Sequence, residues 1–292
     1  MRASPLRTRR TAAFPWLLAG AILVASGISH ASELVVFHAD SLAGPMRELK
    51  RAFEAKNPGV DLKLTSGVSR ELAGRILKGD ACDVFAPSSP AVVDEDLMRG
   101  AVAGSGRPGA TWYVVFSANE MAIVTAKGNP LGIARVSDLA RPGVRYIRVT
   151  GEKDLATART IEFLKRAATE EGKPELAAAI LAAAPADPAK VVGVPDVVNA
   201  VRKGEVNAGI VYYSAAVAAR NDLDIVRFPD RVNLSEAIRN AATVPATARN
   251  PQEATAFVAF LVTKEAQDIL LRTGQPPVVP ALRKGDVPAG VR

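Results

Sequence analysis

Short apolar runs alternate with amphipathic segments through the first part of the chain. Strand-like runs occupy residues 33–37, 60–64 and 83–86, where apolar residues are consecutive or alternate with polar ones. Between the first two runs, Leu42, Met46, Leu49 and Phe53 repeat at helical spacing. This strand–helix alternation predicts an α/β fold with a parallel sheet.

A second block follows the same pattern. Two apolar, β-rich runs at 112–116 and 121–125 are joined by four residues, and further strand and helix patterns continue to about residue 228. The character changes after Pro229: a short return strand is predicted at 241–244, then two amphipathic helices at 251–263 and 264–272. A proline-rich tail follows from Gln275, packed or loose on the surface. This order predicts two lobes with a cleft between them and a final segment that returns to the first lobe.

The first 31 residues have the pattern of a secretory signal. Four arginines precede an apolar stretch from about Phe14 to Ile28, and Ser29-His30-Ala31 fits the small-x-small rule before a cleavage site. We therefore predict cleavage after Ala31, a periplasmic location and no lipid anchor. The formal net charge of +7 comes partly from those four arginines. No basic cluster with interleaved aromatic residues follows, so no nucleic-acid partner is expected.

The composition excludes several kinds of chemistry. Cys82 is the only cysteine, and His30 and His38 are the only histidines. The mature chain therefore cannot form a disulfide within itself or a His/Cys zinc site. No phosphate-binding loop or dinucleotide fingerprint occurs. His38, Asp40 and Ser41 are adjacent, but neighbours at a strand end point in different directions. We predict a binding protein with no cofactor, and not an enzyme.

Small polar or acidic residues follow several predicted strands. These junctions are Asp40-Ser41, the loop 66–69, the loop 150–157, Pro195-Asp196 and Tyr212-Tyr213. Ligands of open α/β sheets bind at the carboxyl ends of the strands, where helix N-termini attract anions. Ser41 and Ser69 are each expected to cap the helix that follows, and Ser41 is also expected to contact the ligand.

Four segments carry a resemblance to a known family: 37–42, 111–121, 208–212 and 228–235. The chain resembles the periplasmic substrate-binding proteins of ABC transporters, in particular the molybdate/tungstate-binding group and its archaeal-type branch. The resemblance implies an α/β, type II periplasmic-binding fold. Its two α/β lobes would comprise 32–118 and 236–292 (lobe 1) and 119–235 (lobe 2). It also implies a monomer that delivers a small inorganic oxyanion, molybdate or tungstate, to a membrane permease.

The resemblance also assigns site residues. The ligand-binding candidates are Ser41, Ser66 or Ser69, Asp154, Thr157, Asp196, Val197 and Tyr212. Val197 matches a position that contacts the ligand through its backbone N–H, and Tyr212 one that donates its hydroxyl. Asp154 and Asp196 would be metal ligands only if the metal of the oxyanion is octahedral; both are equally candidates for helix caps. The chain departs from relatives at 155–157, where Leu-Ala-Thr replaces Pro-Ala-Gly or Pro-Cys-Gly.

Two alternatives remain open at this level. The tyrosine pair Tyr212 and Tyr213 suits ferric iron, which related proteins of this fold bind through neighbouring tyrosines. Arg70 and Arg159 add positive charge near the expected site, which suits another small anion.

Overall fold

The computed structural model describes Met1 and residues 32–151, 155–184 and 191–291. The predicted signal segment, apart from Met1, and Asp154 lie outside the described residues. No helix in the described ranges combines the length and apolar character that a membrane span requires.

Ten strands and ten helices are described. The strands are β1 (Ser32–Ala39), β2 (Val60–Gly67), β3 (Val84–Ala86), β4 (Trp112–Ala118), β5 (Met121–Ala126), β6 (Tyr146–Arg148), β7 (Ala208–Tyr212), β8 (Leu223–Val226), β9 (Arg239–Ala242) and β10 (Pro277–Gly285). The helices are α1 (Ala43–Lys56), α2 (Ser69–Leu77), α3 (Pro90–Val92), α4 (Leu155–Glu170), α5 (Leu176–Ala183), α6 (Val194–Arg202), α7 (Tyr213–Ala218), α8 (Asp230–Asn233), α9 (Pro251–Leu261) and α10 (Lys264–Arg272). A 3-10 turn precedes α1, and a π-helical turn extends α3.

The first lobe is built on β2-β1-β3, which pair in parallel, and on β10-β4-β9, which pair antiparallel. Reciprocal backbone bonds between Phe85 and Thr243, both 3.0 Å, join the two sheets. Side chains alternate across the sheet, as strand geometry requires. Leu34 and Val36 face a core with α1, α9 and α10, whereas Phe37 faces a core with α2 and α3. Helices therefore cover both faces of this lobe.

The second lobe contains a sheet of order β6-β7-β5-β8 with its own apolar core, which runs from Met121 to Ile238. Only β6 and β7 pair in parallel; β5 is antiparallel to both β7 and β8. The expectation of a parallel sheet is therefore correct for β1 to β3 and wrong here. The runs at 112–116 and 121–125 belong to different sheets, because the chain passes from one lobe to the other between them.

The proline-rich tail is the other difference from prediction. It forms β10, which pairs with β4 at the edge of the sheet, with an irregular register between Pro277 and Leu282. An edge strand with a bulge is where a sheet tolerates proline, since no partner needs the missing N–H.

A buried polar cluster lies where the chain crosses between the lobes. Its side chains are Ser117, Asn119, Ser214, Asn240 and Gln275, each at most 1% exposed. Asn119 Nδ2 donates to Ser214 Oγ at 2.9 Å, and Asn240 Nδ2 donates to Ser117 Oγ at 2.9 Å. Because buried polar groups are stable only when paired, this cluster fixes the crossing segments relative to each other.

Candidate functional site

Ser41 enters the site from the turn that follows β1. Its carbonyl accepts hydrogen bonds from Ser214 Oγ at 2.8 Å and from Gln275 Nε2 at 3.0 Å. Its hydroxyl is buried and has no hydrogen-bond partner among the described residues. The expected N-cap role is wrong: Leu42 is the N-cap of α1, and no side chain caps that helix. The 3-10 turn over 40–42 separates Ser41 from the helix, which leaves its hydroxyl unused.

Ser69 and Ser88 bring two more hydroxyls from the same lobe. Ser69 is the first residue of α2, where Val68 is the N-cap, so Ser69 does not cap this helix as expected. Its Oγ instead accepts the N–H of Ser88 at 3.2 Å and lies 3.4 Å from the Ser88 hydroxyl. Ser66, the other predicted serine, lies on β2 opposite His38 and is exposed.

The second lobe contributes the beginnings of two helices and the end of a strand. Leu155 and Ala156 begin α4, Val194 begins α6, and Tyr212 ends β7. Tyr212 is 3% exposed. Its hydroxyl oxygen accepts a hydrogen bond from Arg159 Nη1 at 2.9 Å. The second lobe therefore brings the Tyr212 phenol and the first turns of α4 and α6 to the same place as the serines of the first lobe.

These groups surround one small cavity between the lobes, with a volume of about 20 Å³, or room for about one or two water molecules. Its lining residues are Ala39, Asp40, Ser41, Gly67, Val68, Ser69, Ser88, Leu155, Ala156, Val194 and Tyr212. Such a space suits a group of a few atoms in contact with the hydroxyls of Ser41, Ser69, Ser88 and Tyr212.

Other predicted residues lie outside this lining. Asp196 is exposed, and its carboxylate accepts the N–H of Gly193 at 2.8 Å, as a helix cap does. The Val197 N–H, expected to face the ligand, donates to the Gly193 carbonyl at 3.2 Å. Val194, one turn earlier, takes the place at the cavity. The Thr157 hydroxyl is buried without a partner in the described residues, but Thr157 does not line the cavity.

The two tyrosines of the ferric-iron alternative have different surroundings. Tyr212 lines the cavity, whereas Tyr213 begins α7 and its ring lies under Arg227, with 4.4 Å from the guanidinium carbon to the ring centroid. Within the described ranges, no group of three or more His, Cys, Asp or Glu side chains has the arrangement to hold a metal ion. The structure therefore does not bring the tyrosine pair together on one ligand.

Among the described residues, Arg159 and Asp40 bring charge near the cavity. Arg159 is partly buried on α4, and its Nη2 donates to the Ser88 carbonyl at 2.7 Å. Its hydrogen-bond acceptors, the Tyr212 hydroxyl and the Ser88 carbonyl, are neutral oxygens, and no described carboxylate lies within 4.0 Å of its guanidinium. Asp40 is the only acid among the described lining residues. Burial lowers the pKa of the nearby His38.

Sequence reasoning missed Ser88 and the partners of Arg159. Ser88 follows β3 just as Ser41 follows β1, so the rule of strand carboxyl ends applied to it as well. The flanking prolines in Pro87-Ser88-Ser89-Pro90 suggested only a turn. The bonds from Arg159 to Tyr212 and Ser88 join residues 53 and 71 positions away in the sequence, and no local pattern reports such contacts.

A two-lobe α/β fold with a small donor-lined cavity between the lobes defines a type II solute-binding protein. Residues 34–275 match the model of the bacterial extracellular solute-binding protein family, and the chain belongs to that family. The family resemblance inferred from the sequence is thereby confirmed.

Individual relatives agree with this assignment. The molybdate-binding protein ModA of Mycobacterium tuberculosis is 30% identical over 249 residues, which are 84% of this chain and 84% of that protein. The periplasmic molybdate-binding protein of Azotobacter vinelandii has a TM-score of 0.65 at 18% identity, covering 85% of this chain and 99% of that one. The sulfate-binding protein SubI of M. tuberculosis has a TM-score of 0.64 at 19% identity, covering 85% and 88%. These two structures show a shared fold.

Proposed function

We propose that this protein is the receptor of an ABC importer that binds a tetrahedral oxyanion of the molybdate or tungstate type between its lobes. The observation that carries the proposal is the Ser41 hydroxyl, which is buried, unpaired among the described residues and part of the cavity lining. An unpaired buried hydroxyl costs about 1–3 kcal/mol, so its position is explained by a partner that arrives with the ligand.

The chemistry of the lining favours an anion. A dianion moved out of water needs several donors, and hydroxyls and helix N-termini provide them without a full counter-charge. The Ser41, Ser69 and Ser88 hydroxyls come from one lobe, and the phenol of Tyr212 comes from the other. The Arg159 guanidinium, which has no carboxylate within 4.0 Å among the described residues, lies behind these groups. The relative at 30% identity that is named a molybdate-binding protein supports the choice of ligand.

The proposed transport role also requires export of the chain and contact with a membrane permease. We propose that residues 1–31 are cleaved after Ala31 and that the mature monomer works in the periplasm and docks on a membrane permease.

We also propose lobe boundaries at 32–118, 119–235 and 236–292. The separate apolar cores support the division into two lobes, because one core runs from Met121 to Ile238, just past the proposed boundary at 235, and the others combine earlier and later segments. Asp154 and Asp196 remain proposed ligands only for an octahedral metal centre.

Calorimetric titration of the mature chain tests the ligand. We expect saturable heat with molybdate and with tungstate, and weaker or no heat with sulfate and phosphate at equal concentration. No heat with either molybdate or tungstate would reject the proposal. Tight binding of Fe(III) with the colour of a tyrosinate complex would favour the iron alternative instead.

A further inference from the structure

Arg159 connects the two lobes through the residues that line the cavity. Its Nη1 donates to Tyr212 Oη at 2.9 Å within the second lobe, and its Nη2 donates to the Ser88 carbonyl at 2.7 Å in the first lobe. The guanidinium carbon lies 5.8 Å from the centroid of the Tyr212 ring. Arg159 itself does not line the cavity, so any effect on a ligand acts through these two partners.

The first bond determines how the Tyr212 hydroxyl is used. A guanidinium has donors only, so the phenol oxygen must accept this hydrogen bond. The phenol proton is then directed away from Arg159. This bond fixes the Tyr212 ring and hydroxyl at the wall of the cavity.

The second bond depends on closure. Tyr212 and Arg159 belong to the same lobe and stay together when the lobes separate, whereas Ser88 belongs to the other lobe. Hinge opening therefore breaks the bond to the Ser88 carbonyl. Charge-assisted hydrogen bonds are about twice as strong as neutral ones, so its loss is a substantial cost of opening.

We propose that Arg159 is a positioning residue that couples lobe closure to ligand binding in the cavity. It fixes Tyr212 at the cavity through one hydrogen bond and holds the second lobe to Ser88 through the other. This inference rests on the proposed function for its ligand, but the contact between the lobes is independent of that ligand.

The test compares Arg159→Gln, Arg159→Lys and Tyr212→Phe with a matched control. The control is Arg202→Gln, at an exposed arginine of α6 that pairs with Asp222 at 3.0 Å, within the second lobe and outside the site. Release and association rates are measured by stopped flow with molybdate and tungstate. Distances between spin labels at Lys78→Cys and Lys173→Cys report closure; these positions are exposed, one in each lobe.

For Arg159→Gln we expect release to accelerate by about 10- to 100-fold, which is the effect of losing a charge-assisted hydrogen bond. Association should change by less than about 3-fold, since interface changes act mostly on release. Lysine keeps the charge but cannot bridge both oxygens with a planar fork, so Arg159→Lys should restore only part of the affinity. Arg159→Gln and Tyr212→Phe should be non-additive, and Arg202→Gln should match the wild type.

Release from Arg159→Gln at the wild-type rate would overturn the inference, and full restoration by lysine would reduce it to a charge effect. If the wild type binds neither anion, the proposed function fails, and the spin labels still decide the inference. The ligand-free wild type must then show a larger closed fraction than Arg159→Gln, and equal fractions would overturn the interlobe role.

Discussion

The backbone carbonyl and the side-chain hydroxyl of Ser41 have different hydrogen-bonding surroundings. Its carbonyl has two buried donors, while its hydroxyl has no partner among the described residues. Replacing Ser41 by alanine removes a hydroxyl that makes no hydrogen bond with the described residues. We therefore expect Ser41→Ala to change the free energy of unfolding by less than about 0.5 kcal/mol and to weaken oxyanion binding by about 1–3 kcal/mol. Urea denaturation and calorimetry measure the two quantities on the same sample.

Ser214→Ala is the matched control for that variant. The Ser214 hydroxyl donates to the Ser41 carbonyl and accepts from Asn119. Its loss should destabilise the protein by about 1–3 kcal/mol, because the buried Asn119 amide loses this acceptor and the Ser41 carbonyl loses one of its two donors. If Ser41→Ala were as destabilising as Ser214→Ala, the Ser41 hydroxyl would have a structural partner and would not be reserved for a ligand.

His38 gives the protein a pH dependence with a definite sign. The ring is 2% exposed, and its Nδ1 lies 2.9 Å from the Ala39 carbonyl. Burial lowers its pKa, partly offset by this backbone bond and by the charge of Asp40, while Arg47 lowers it further. The unfolded chain therefore takes up the proton first as the pH falls below about 6.5. This contribution to stability is present above that pH and is lost toward the lowered pKa of the folded state.

We expect His38→Gln to remove this part of the acid sensitivity. Between pH 7 and pH 5, the wild type should lose up to about 1.4 kcal/mol per pH unit more than the variant within the window between the two pKa values. Urea midpoints at a series of pH values measure the difference, in which the contributions of the carboxylates cancel. Parallel pH profiles would show that His38 titrates alike in the folded and unfolded states.

At the scale of elements, local sequence patterns predicted those segments whose conformation depends mainly on their own residues. β1, α9 and α10 were predicted close to their observed bounds, because period-2 and period-3.6 patterns depend on nearby residues. β10 was missed because its pairing partner, β4, lies more than 150 positions earlier in the chain, and prolines argue against a strand until an edge is known. The same limit applied to the site. The position of Ser41 could be predicted because it follows a strand, whereas the partners of Arg159 could be found only from contacts between the lobes.

Packing between α6 and β7 depends on a glycine. A Cβ atom added to Gly209 would lie 2.5 Å from Val197 Cγ1 and 3.1 Å from Val201 Cγ2. Both valines are at most 1% exposed and cannot move away easily. We expect Gly209→Ala to destabilise the protein by about 1–3 kcal/mol through overpacking, and to weaken ligand binding because the displaced α6 carries Val194 to the cavity.

Gly74→Ala is the control for Gly209→Ala. Gly74 lies inside α2, and a Cβ added there has no neighbour within 4 Å. Alanine should stabilise this helix by about 1 kcal/mol. Thermal unfolding compares the two variants: opposite shifts in Tm are expected, and a neutral Gly209→Ala would mean that α6 can move back without cost.

At the scale of the whole molecule, the chain leaves the first lobe after β4 and returns to it with β9. The returning helices complete a core that β1 began, since Phe257, Leu261 and Ile269 pack with Leu34 and Val36. The first lobe therefore needs both the beginning and the end of the segment 32–291. Its site residue Ser41 depends on the same return, because Gln275 Nε2 holds the Ser41 carbonyl at 3.0 Å.

Asp83 joins the two ends directly. Its carboxylate is buried and accepts three backbone N–H groups: Val35 at 2.8 Å, Arg249 at 2.7 Å and Asn250 at 2.8 Å. An amide at this position presents a donor to at least one of these donors. We expect Asp83→Asn to cost about 2–4 kcal/mol, as for the loss of a buried, charge-assisted network, with hydrogen exchange accelerated in α9 and β1 together.

The control for this variant is Asp80→Asn, at an exposed carboxylate that pairs with Arg75 at 2.8 Å and should contribute less than about 1 kcal/mol. Urea midpoints and hydrogen exchange on both variants separate the effects. If Asp83→Asn accelerated exchange only in the loop 246–250, the return segment would be held by its apolar core alone. Joint acceleration in α9 and β1 would show that one buried carboxylate makes the two ends of the chain a single cooperative unit, on which the position of Ser41 depends.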